Sequence, residues 1–259
     1  MNALQRQQIG QAFGRARNYD AHARVQKLVA DRLAARIAAI DLPADPKVLE
    51  IGCGTGFLTE ALIKRGIGGD WLITDIAPAM VERCRARVGE SGQRRFAVLD
   101  GEYGLPEQGG FDLIVSSLAM QWFDDQEAAL ARMIQSLSPR GHCLFATLGA
   151  GTFEEWRAAH RAEGLEPGTR QFVDAEKLAA MLPGAQEMPA LIELEVEQHD
   201  NALGFLRSLK GIGARTPASG HRPLSAAELR RVMARFGAMG SRVTYEVVTG
   251  HYRQQDSER

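Results

Sequence analysis

The stretch Val48-Leu49-Glu50-Ile51-Gly52-Cys53-Gly54-Thr55-Gly56 decides the reading of this chain. From Lys47 to Ile51 it is a short apolar run, and three alternate glycines follow at once. That pattern suits a buried parallel strand running into a tight turn. Glycine lets the backbone reverse sharply and lets a ligand approach it closely. The spacing is GxGxG, not the GxGxxG of dinucleotide sites, and it lacks the GKT or GKS ending of a phosphate-binding P-loop. In open α/β sheets ligands bind beyond the carboxyl ends of the strands, so this loop is the first candidate cradle.

Outward from the loop, strand and helix patterns alternate. Upstream, residues 22–40 carry Val25, Leu28, Val29, Leu33 and Ile37 at helical spacing. Downstream, Phe57–Arg65 reads as a helix, Trp71–Thr74 as a strand, and Pro78–Val88 as a helix with proline in its first turn. Arg95–Leu99 and Phe111–Ser116 read as strands three and four. Gln126–Leu137 reads as a helix closed by Ser138-Pro139-Arg140-Gly141, and His142–Leu148 as strand five. The fold class is therefore α/β, with a doubly wound, mostly parallel sheet. In the second half, Thr152–Glu163, Asp174–Met181, Asn201–Leu209 and Ser225–Phe236 read as helices. Leu191–Gln198, where acids alternate with apolar residues, and Val243–Thr249 read as two closing strands, antiparallel at the sheet edge, for seven in all. The expected organisation is a single domain over 1–259, with an N-terminal helical cap (1–46), a cofactor-binding core (47–148) and substrate-side elements (149–259). The last part includes a helical insertion at about 200–240, long for a hairpin loop and so a candidate lid.

Two carboxylates complete the candidate cofactor site. Asp75 ends strand two, where an acid can accept hydrogen bonds from both ribose hydroxyls; it also stands where a helix N-cap would, ahead of Pro78. Asp100, in Leu99-Asp100-Gly101-Glu102, follows strand three and can accept from the exocyclic amine of adenine, or serve simply as a turn carboxylate. Loop and acids together point to a nucleoside-type cofactor.

Bulk properties narrow the class. The chain has 259 residues, 45% of them hydrophobic, and a formal net charge of −1. A sizeable core is affordable, while wholesale nucleic-acid binding, which uses a strongly basic face, is not indicated. Cys53, Cys84 and Cys143 show no CxxC spacing, so neither a disulfide framework nor a metal site is expected, and reduced thiols suit a cytoplasmic location. No leader-like apolar segment is visible at the N-terminus, and no apolar run approaches the roughly 20 residues of a membrane span.

From residue 47 to 148 the sequence resembles the class I methyltransferases, in Val48 to Gly56, in Phe111-Asp112-Leu113-Ile114-Val115 and in Leu137-Ser138-Pro139-Arg140-Gly141-His142. The resemblance implies S-adenosylmethionine as cofactor. It implies a binding set of Glu50, Gly52, Gly54, Gly56, Asp75 and Ile76, with Asp100 and Gly101 at the adenine and the backbone from Ser116 to Leu118, hence Ser117 and Leu118, near the methionine portion.

Four further segments, Ala12 to Gln26, Ser117-Leu118-Ala119-Met120-Gln121-Trp122, Thr169-Arg170-Gln171-Phe172 and Arg207 to Ala214, are similar in kind and order to the malonyl-[acyl-carrier protein] O-methyltransferases of biotin synthesis. That resemblance implies methylation of the free carboxylate of a malonyl thioester, on an acidic acyl-carrier protein or on coenzyme A. Such a carboxylate is ionised at neutral pH, its ordinary pKa being about 4, so alignment and desolvation matter more than a general base. Arg170 is the candidate clamp for the second carboxylate oxygen; Tyr19 and Gln121 are candidates to orient the substrate and Trp122 to wall it. Each also has a plain structural alternative, a loop cap for Arg170 and core packing for the aromatics. Arg207 and Lys210 open a basic cluster, continued by Arg215, His221, Arg222, Arg230, Arg231 and Arg235, that can steer an acidic carrier. The residues leave room for another small-acid or quinone-precursor methyltransferase, or for a binding module without turnover. The resemblance has departures: Met120 and Phe123 stand in a segment expected to vary, and residues 186–197 carry nothing of the family pattern.

Overall fold

In chain order, the computed structural model, which describes residues 3–16, 18–214 and 220–254, places three helices ahead of the sheet: α1 (Ala3–Gly14), α2 (Tyr19–His22) and α3 (Arg24–Ile37). The core follows as β1 (Lys47–Ile51), α4 (Phe57–Lys64), β2 (Asp70–Asp75), α5 (Pro78–Val88), β3 (Arg94–Val98), β4 (Phe111–Ser117), α6 (Gln126–Gln135) and β5 (Leu137–Leu148). The remainder supplies α7 (Glu154–Ala162), α8 (Ala175–Ala179), β6 (Gln186–Gln198), α9 (Ala202–Gly211), α10 (Ala226–Ala238) and β7 (Arg242–Arg253). None of the described helices is long and apolar enough to cross a membrane.

The strands form one sheet in the order β3-β2-β1-β4-β5-β7-β6. The first five are parallel; β7 lies antiparallel to β5, and β6 antiparallel to β7 at the edge. Strand order reverses between β1 and β4, so the crevice for a ligand lies at their carboxyl ends. Val48, Leu49, Glu50 and Ile51 are all buried, as a strand covered on both faces requires. Local chemistry sets the helix starts. Pro78 opens α5. Asp125, Asp174 and Asn201 accept backbone N–H groups at the heads of α6, α8 and α9, and Ser225 with Glu228 forms a capping box on α10.

Two apolar layers sandwich the sheet. One joins α3 and α4 to an aromatic group from the second half: Phe153, Trp156, Phe205, Phe236 and Tyr245. Their ring centroids lie 5.0–5.6 Å apart in tilted or edge-to-face pairs. The other layer joins Leu130, Met133 and Ile134 of α6 and Leu178 of α8 to Leu49, Ile114, Phe145 and Val248.

The structure corrects several boundaries. The helix expected to reach Leu137 ends at Gln135, and Ser138-Pro139-Arg140-Gly141 is no turn after it. Those residues form an excursion inside β5, between the pairings Phe111–Leu137 and Leu113–His142. Residues 186–190 belong to β6, longer than expected by that much. In β6 the apolar side is the exposed one: Leu194 is 64% and Val196 52% exposed. Its acids face inward instead, Glu193 and Glu195 to Arg32 and Glu197 to Arg24. Within the expected N-terminal helical cap (1–46), the twelve-residue α1 is a helix additional to the one read at residues 22–40.

Candidate active site

A cavity opens at the carboxyl ends of β1, β2 and β4, and the glycine loop forms its floor. The Cys53 N–H donates to the Thr74 carbonyl at 2.9 Å, tying the loop to β2. The Gly54 N–H donates to Asp75 Oδ2 at 2.9 Å and the Ala77 N–H to Oδ1 at 2.8 Å. Each carboxylate oxygen is thus oriented by one backbone donor and keeps acceptor capacity for a vicinal diol. Burial pushes the Asp75 carboxyl above its ordinary value, and the two N–H donors pull it back. Beneath the loop, Glu50 is 1% exposed and accepts the Thr59 hydroxyl at 2.6 Å. Burial raises its pKa to about 7, against the Thr59 donation.

Gly52 sits at φ +72°, and a Cβ there would stand 2.3 Å from the Cβ of Ala119. The substitution Gly52→Ala is therefore both strained and overpacked, and a loss of about 1–3 kcal/mol is expected. Thermal melts check it: the variant should melt lower and bind nucleoside ligands more weakly, and wild-type values in both would contradict the argument. Gly56, in contrast, does not line the cavity. It holds φ +90° at the head of α4, where a Cβ would meet Cys84 Sγ at 2.9 Å. Close packing on α5 thus requires a glycine there.

Glu50, Gly52, Gly54, Asp75, Ile76, Asp100, Gly101, Ser117 and Leu118 all line this cavity. Asp100 accepts the Glu102 N–H at 3.0 Å and lies 3.5 Å from Arg6 Nε. Sequence reasoning missed Arg6, which also reaches Glu102 at 3.7 Å and Asp124 at 3.2 Å and so fastens α1 beside the cavity. Ile9 and Phe13 of the same helix complete that wall. Glu102, 1% exposed, accepts the Asp124 and Asp125 N–H groups at 3.0 and 2.9 Å. The available signal was the pair Ile9 and Phe13, four residues apart in a largely polar segment.

A second cavity adjoins the first and shares the wall Phe13, Tyr19, Gln26, Leu118 and Trp122. Its far side is apolar, from Phe153, Trp156, Phe172, Leu206 and Leu209. Gln121 and Arg170 line it too. The Gln121 amide donates to the Leu118 carbonyl at 2.6 Å and accepts the Thr147 hydroxyl at 3.3 Å. Arg170 donates to the Phe123 carbonyl at 3.1 Å, and its guanidinium lies 5.9 Å from the Trp122 ring centroid. Burial lowers its pKa from an ordinarily very high value, opposed by Asp124 and Glu102. Tyr19 packs on Phe57 at 6.4 Å, and burial with the charges of Asp75 and Asp20 raises its phenol, which stays protonated and able to donate. His160 and His221, unremarked as pocket residues, also line this cavity.

Arg207 and Lys210 lie elsewhere, exposed on the outer side of α9, whose Leu206 and Leu209 face the second cavity. The wider basic cluster is partly neutralised: Arg222 pairs with Glu228 at 2.8 Å, and Arg231 and Arg235 with Glu163 at 3.2 Å. Arg215 lies outside the described residues.

A family model described as a methyltransferase domain matches residues 48–141. The malonyl-[acyl-carrier protein] O-methyltransferase of Magnetococcus marinus is 43% identical over 97% of this chain and 94% of its own length. This chain belongs to the malonyl-[acyl-carrier protein] O-methyltransferase family. It is a methyltransferase, and its methyl donor is S-adenosylmethionine. A second member of this group, the biotin biosynthesis bifunctional protein BioCD of Bordetella avium, is 44% identical over 92% of the chain, which spans 50% of that longer protein. The seven-stranded class I methyltransferase fold is shared with the YcgJ protein of Bacillus subtilis, at a TM-score of 0.62 with 17% identity, covering 87% of this chain and 98% of that one.

Proposed function

We propose that this chain transfers a methyl group from S-adenosylmethionine to the free carboxylate of a malonyl group held as a thioester on an acidic acyl-carrier protein, in biotin synthesis. What supports the reading most is the shared wall: a cradle of glycines and acids opens onto an arginine-bearing cavity across Tyr19, Leu118 and Trp122. Relatives named for this reaction, over nearly the whole chain, support the substrate.

The residues present fit the cofactor. Asp75 accepts from the ribose hydroxyls with the lone pairs that Gly54 and Ala77 leave. Asp100 accepts from the adenine amine, with Ile76 and Gly101 along the base. Gly52 and Gly54 admit close approach, with Glu50 supporting the loop from beneath, and the backbone at Ser117 and Leu118 borders the methionine portion. S-adenosylmethionine supplies an electrophilic methyl group on a cationic sulfur. The carboxylate is already an anion, so the chain's task is to align one of its oxygens and shed its water. Arg170 holds the other oxygen, Tyr19 and Gln121 orient the acyl group, and Trp122 backs the guanidinium. Cys53, Cys84 and Cys143 are buried and unpaired, which supports a reducing cytoplasm as the compartment. In this reading residues 1–46 and the helices at about 200–240 cover a single domain built on the 47–148 core.

The carrier docks on the exposed side of α9. Arg207 and Lys210 make no ion pair among the described residues, and an acidic partner complements them. Reversing both charges (Arg207→Glu with Lys210→Glu) is expected to raise KM for malonyl-carrier about tenfold, in line with rim electrostatics. KM for malonyl-coenzyme A should stay within about twofold. Equal changes for both substrates would refute this docking face.

The reaction itself is tested by mass spectrometry of carrier protein incubated with enzyme and cofactor. A gain of one methyl on malonyl-carrier and none on acetyl-carrier is expected. Methylation of a small free acid alone would replace the reading.

A further inference from the structure

At the other end of the sheet, α3, β5, β6 and β7 enclose a third cleft, which shares no lining residue with the two cavities above. His142 opens the regular part of β5, six residues before Leu148, which lines the second cavity. At roughly 3.3 Å per residue this puts the cleft about 20 Å from the methyl-transfer site.

Three arginines from three elements line it: Arg36 from the last turn of α3, Arg140 from the excursion in β5, and Arg253 from the end of β7. Between them lie two imidazoles on neighbouring strands, His142 Nδ1 and His251 Nε2, 3.0 Å apart. One donates to the other, so each keeps its remaining nitrogen for another partner. Asp41 and Glu187 are the acids of the lining; Glu187 lies 3.6 Å from Arg253, and Glu193 lies 3.8 Å from Arg36. Arg140 makes no ion pair among the described residues, and its backbone holds φ +64°, the left-handed region that only glycine enters without cost. The excursion that shifts the β4–β5 register thus carries an uncompensated guanidinium to this cleft.

We infer that this cleft binds a phosphate-type oxyanion at a site remote from methyl transfer. Two facing imidazoles also suit a divalent cation, but Arg140 and Arg253 oppose one, and no group of three metal-ligating side chains occurs among the described residues. Guanidinium forks and imidazole N–H groups instead match tetrahedral oxyanions. Burial holds both histidines below the ordinary range, with Arg253 and Arg140 adding to the effect at His142 and His142 itself at His251, which falls to about 4; Glu187 works the other way. A bound dianion offsets the field of Arg36, Arg140 and Arg253 and favours the imidazolium. Binding therefore takes up a proton, and affinity rises as pH falls.

Calorimetric titration of the full chain saturated with S-adenosylhomocysteine tests this, since the cofactor cavity is then blocked. Sulfate is the first probe, because its charge is constant between about pH 5 and 8, a span in which histidine titrates. Saturable binding is expected at about pH 6, several-fold weaker at about pH 8. Arg140→Glu, at an exposed position, should weaken binding at least tenfold while leaving methyl transfer unchanged. His251→Asn should flatten the pH dependence. No saturable binding, binding indifferent to Arg140→Glu, or binding of zinc and not sulfate would each overturn the proposal. Inorganic phosphate titrated against a nucleoside monophosphate then separates the two sources of the same chemistry, either one supporting the site.

Discussion

Asp75→Ala is expected to weaken binding of S-adenosylhomocysteine by two to four orders of magnitude. The carboxylate is buried, and each oxygen is already oriented by one backbone N–H, Gly54 on Oδ2 and Ala77 on Oδ1. The remaining lone pairs point to a ribose diol in the proposed site. Each hydrogen bond to a charged group contributes about 1.5–3 kcal/mol, so losing two removes about 3–6 kcal/mol. Since about 1.4 kcal/mol is a factor of ten, the stated range follows. The alanine also strands two N–H donors at the loop, so the unliganded protein should melt lower. Asp75→Asn separates the two effects: its amide oxygen serves one donor and its fold should hold, while the diol loses the charge and one acceptor. Calorimetry on both variants decides. Affinity within about fivefold of wild type in Asp75→Asn would mean that the carboxylate is a loop staple and not a ribose ligand.

What was legible in the sequence was local. The run from Val48 to Gly56 specifies a buried strand and a loop needing positive φ, and both are present. The alternation of strands and helices gives the doubly wound sheet, and Pro78 marks the start of α5. What was not legible depends on partners far along the chain. The segment 3–14 has isolated apolar residues, Ile9 and Phe13, but no sustained stripe; its place is set by Arg6 meeting Asp100, Glu102 and Asp124. Pro139 and Gly141 read as an ordinary turn because the register shift that absorbs them is a property of the β4 pairing. In β6 an alternating pattern normally sends acids outward, yet Arg24, Arg32 and Arg36 of α3 draw them in. At Gly56 a packing demand comes from Cys84 on α5, a neighbour the linear pattern does not show. The basic cluster lost much of its free charge to Glu163 and Glu228, and linear spacing hides the first of these pairings.

Arg170→Ala is expected to lower kcat/KM for the malonyl substrate by at least 100-fold, a loss of about 3 kcal/mol, as for removal of a bidentate charged pair. The division of that loss is the sharper test. During transfer the carboxylate's negative charge and the sulfonium's positive charge cancel, so a fixed cation on the carboxylate stabilises the bound reactants more than the transition state. Most of the effect should therefore appear in KM. What appears in kcat reports lost orientation, because Arg170 is steadied by the Phe123 carbonyl at 3.1 Å and by the Trp122 ring. Arg170→Lys keeps the charge but not the planar fork, and should recover KM in part while kcat stays low. Trp122→Phe should cost less than either, since cation–π contacts of this kind contribute about 0.5–2 kcal/mol. Affinity for S-adenosylhomocysteine should be unchanged in the arginine variants, because Arg170 lines only the second cavity. Steady-state kinetics with cofactor binding measured alongside separate these outcomes. A kcat/KM within about threefold of wild type would reduce Arg170 to a loop cap, and a loss shared equally by cofactor binding would make it a folding residue.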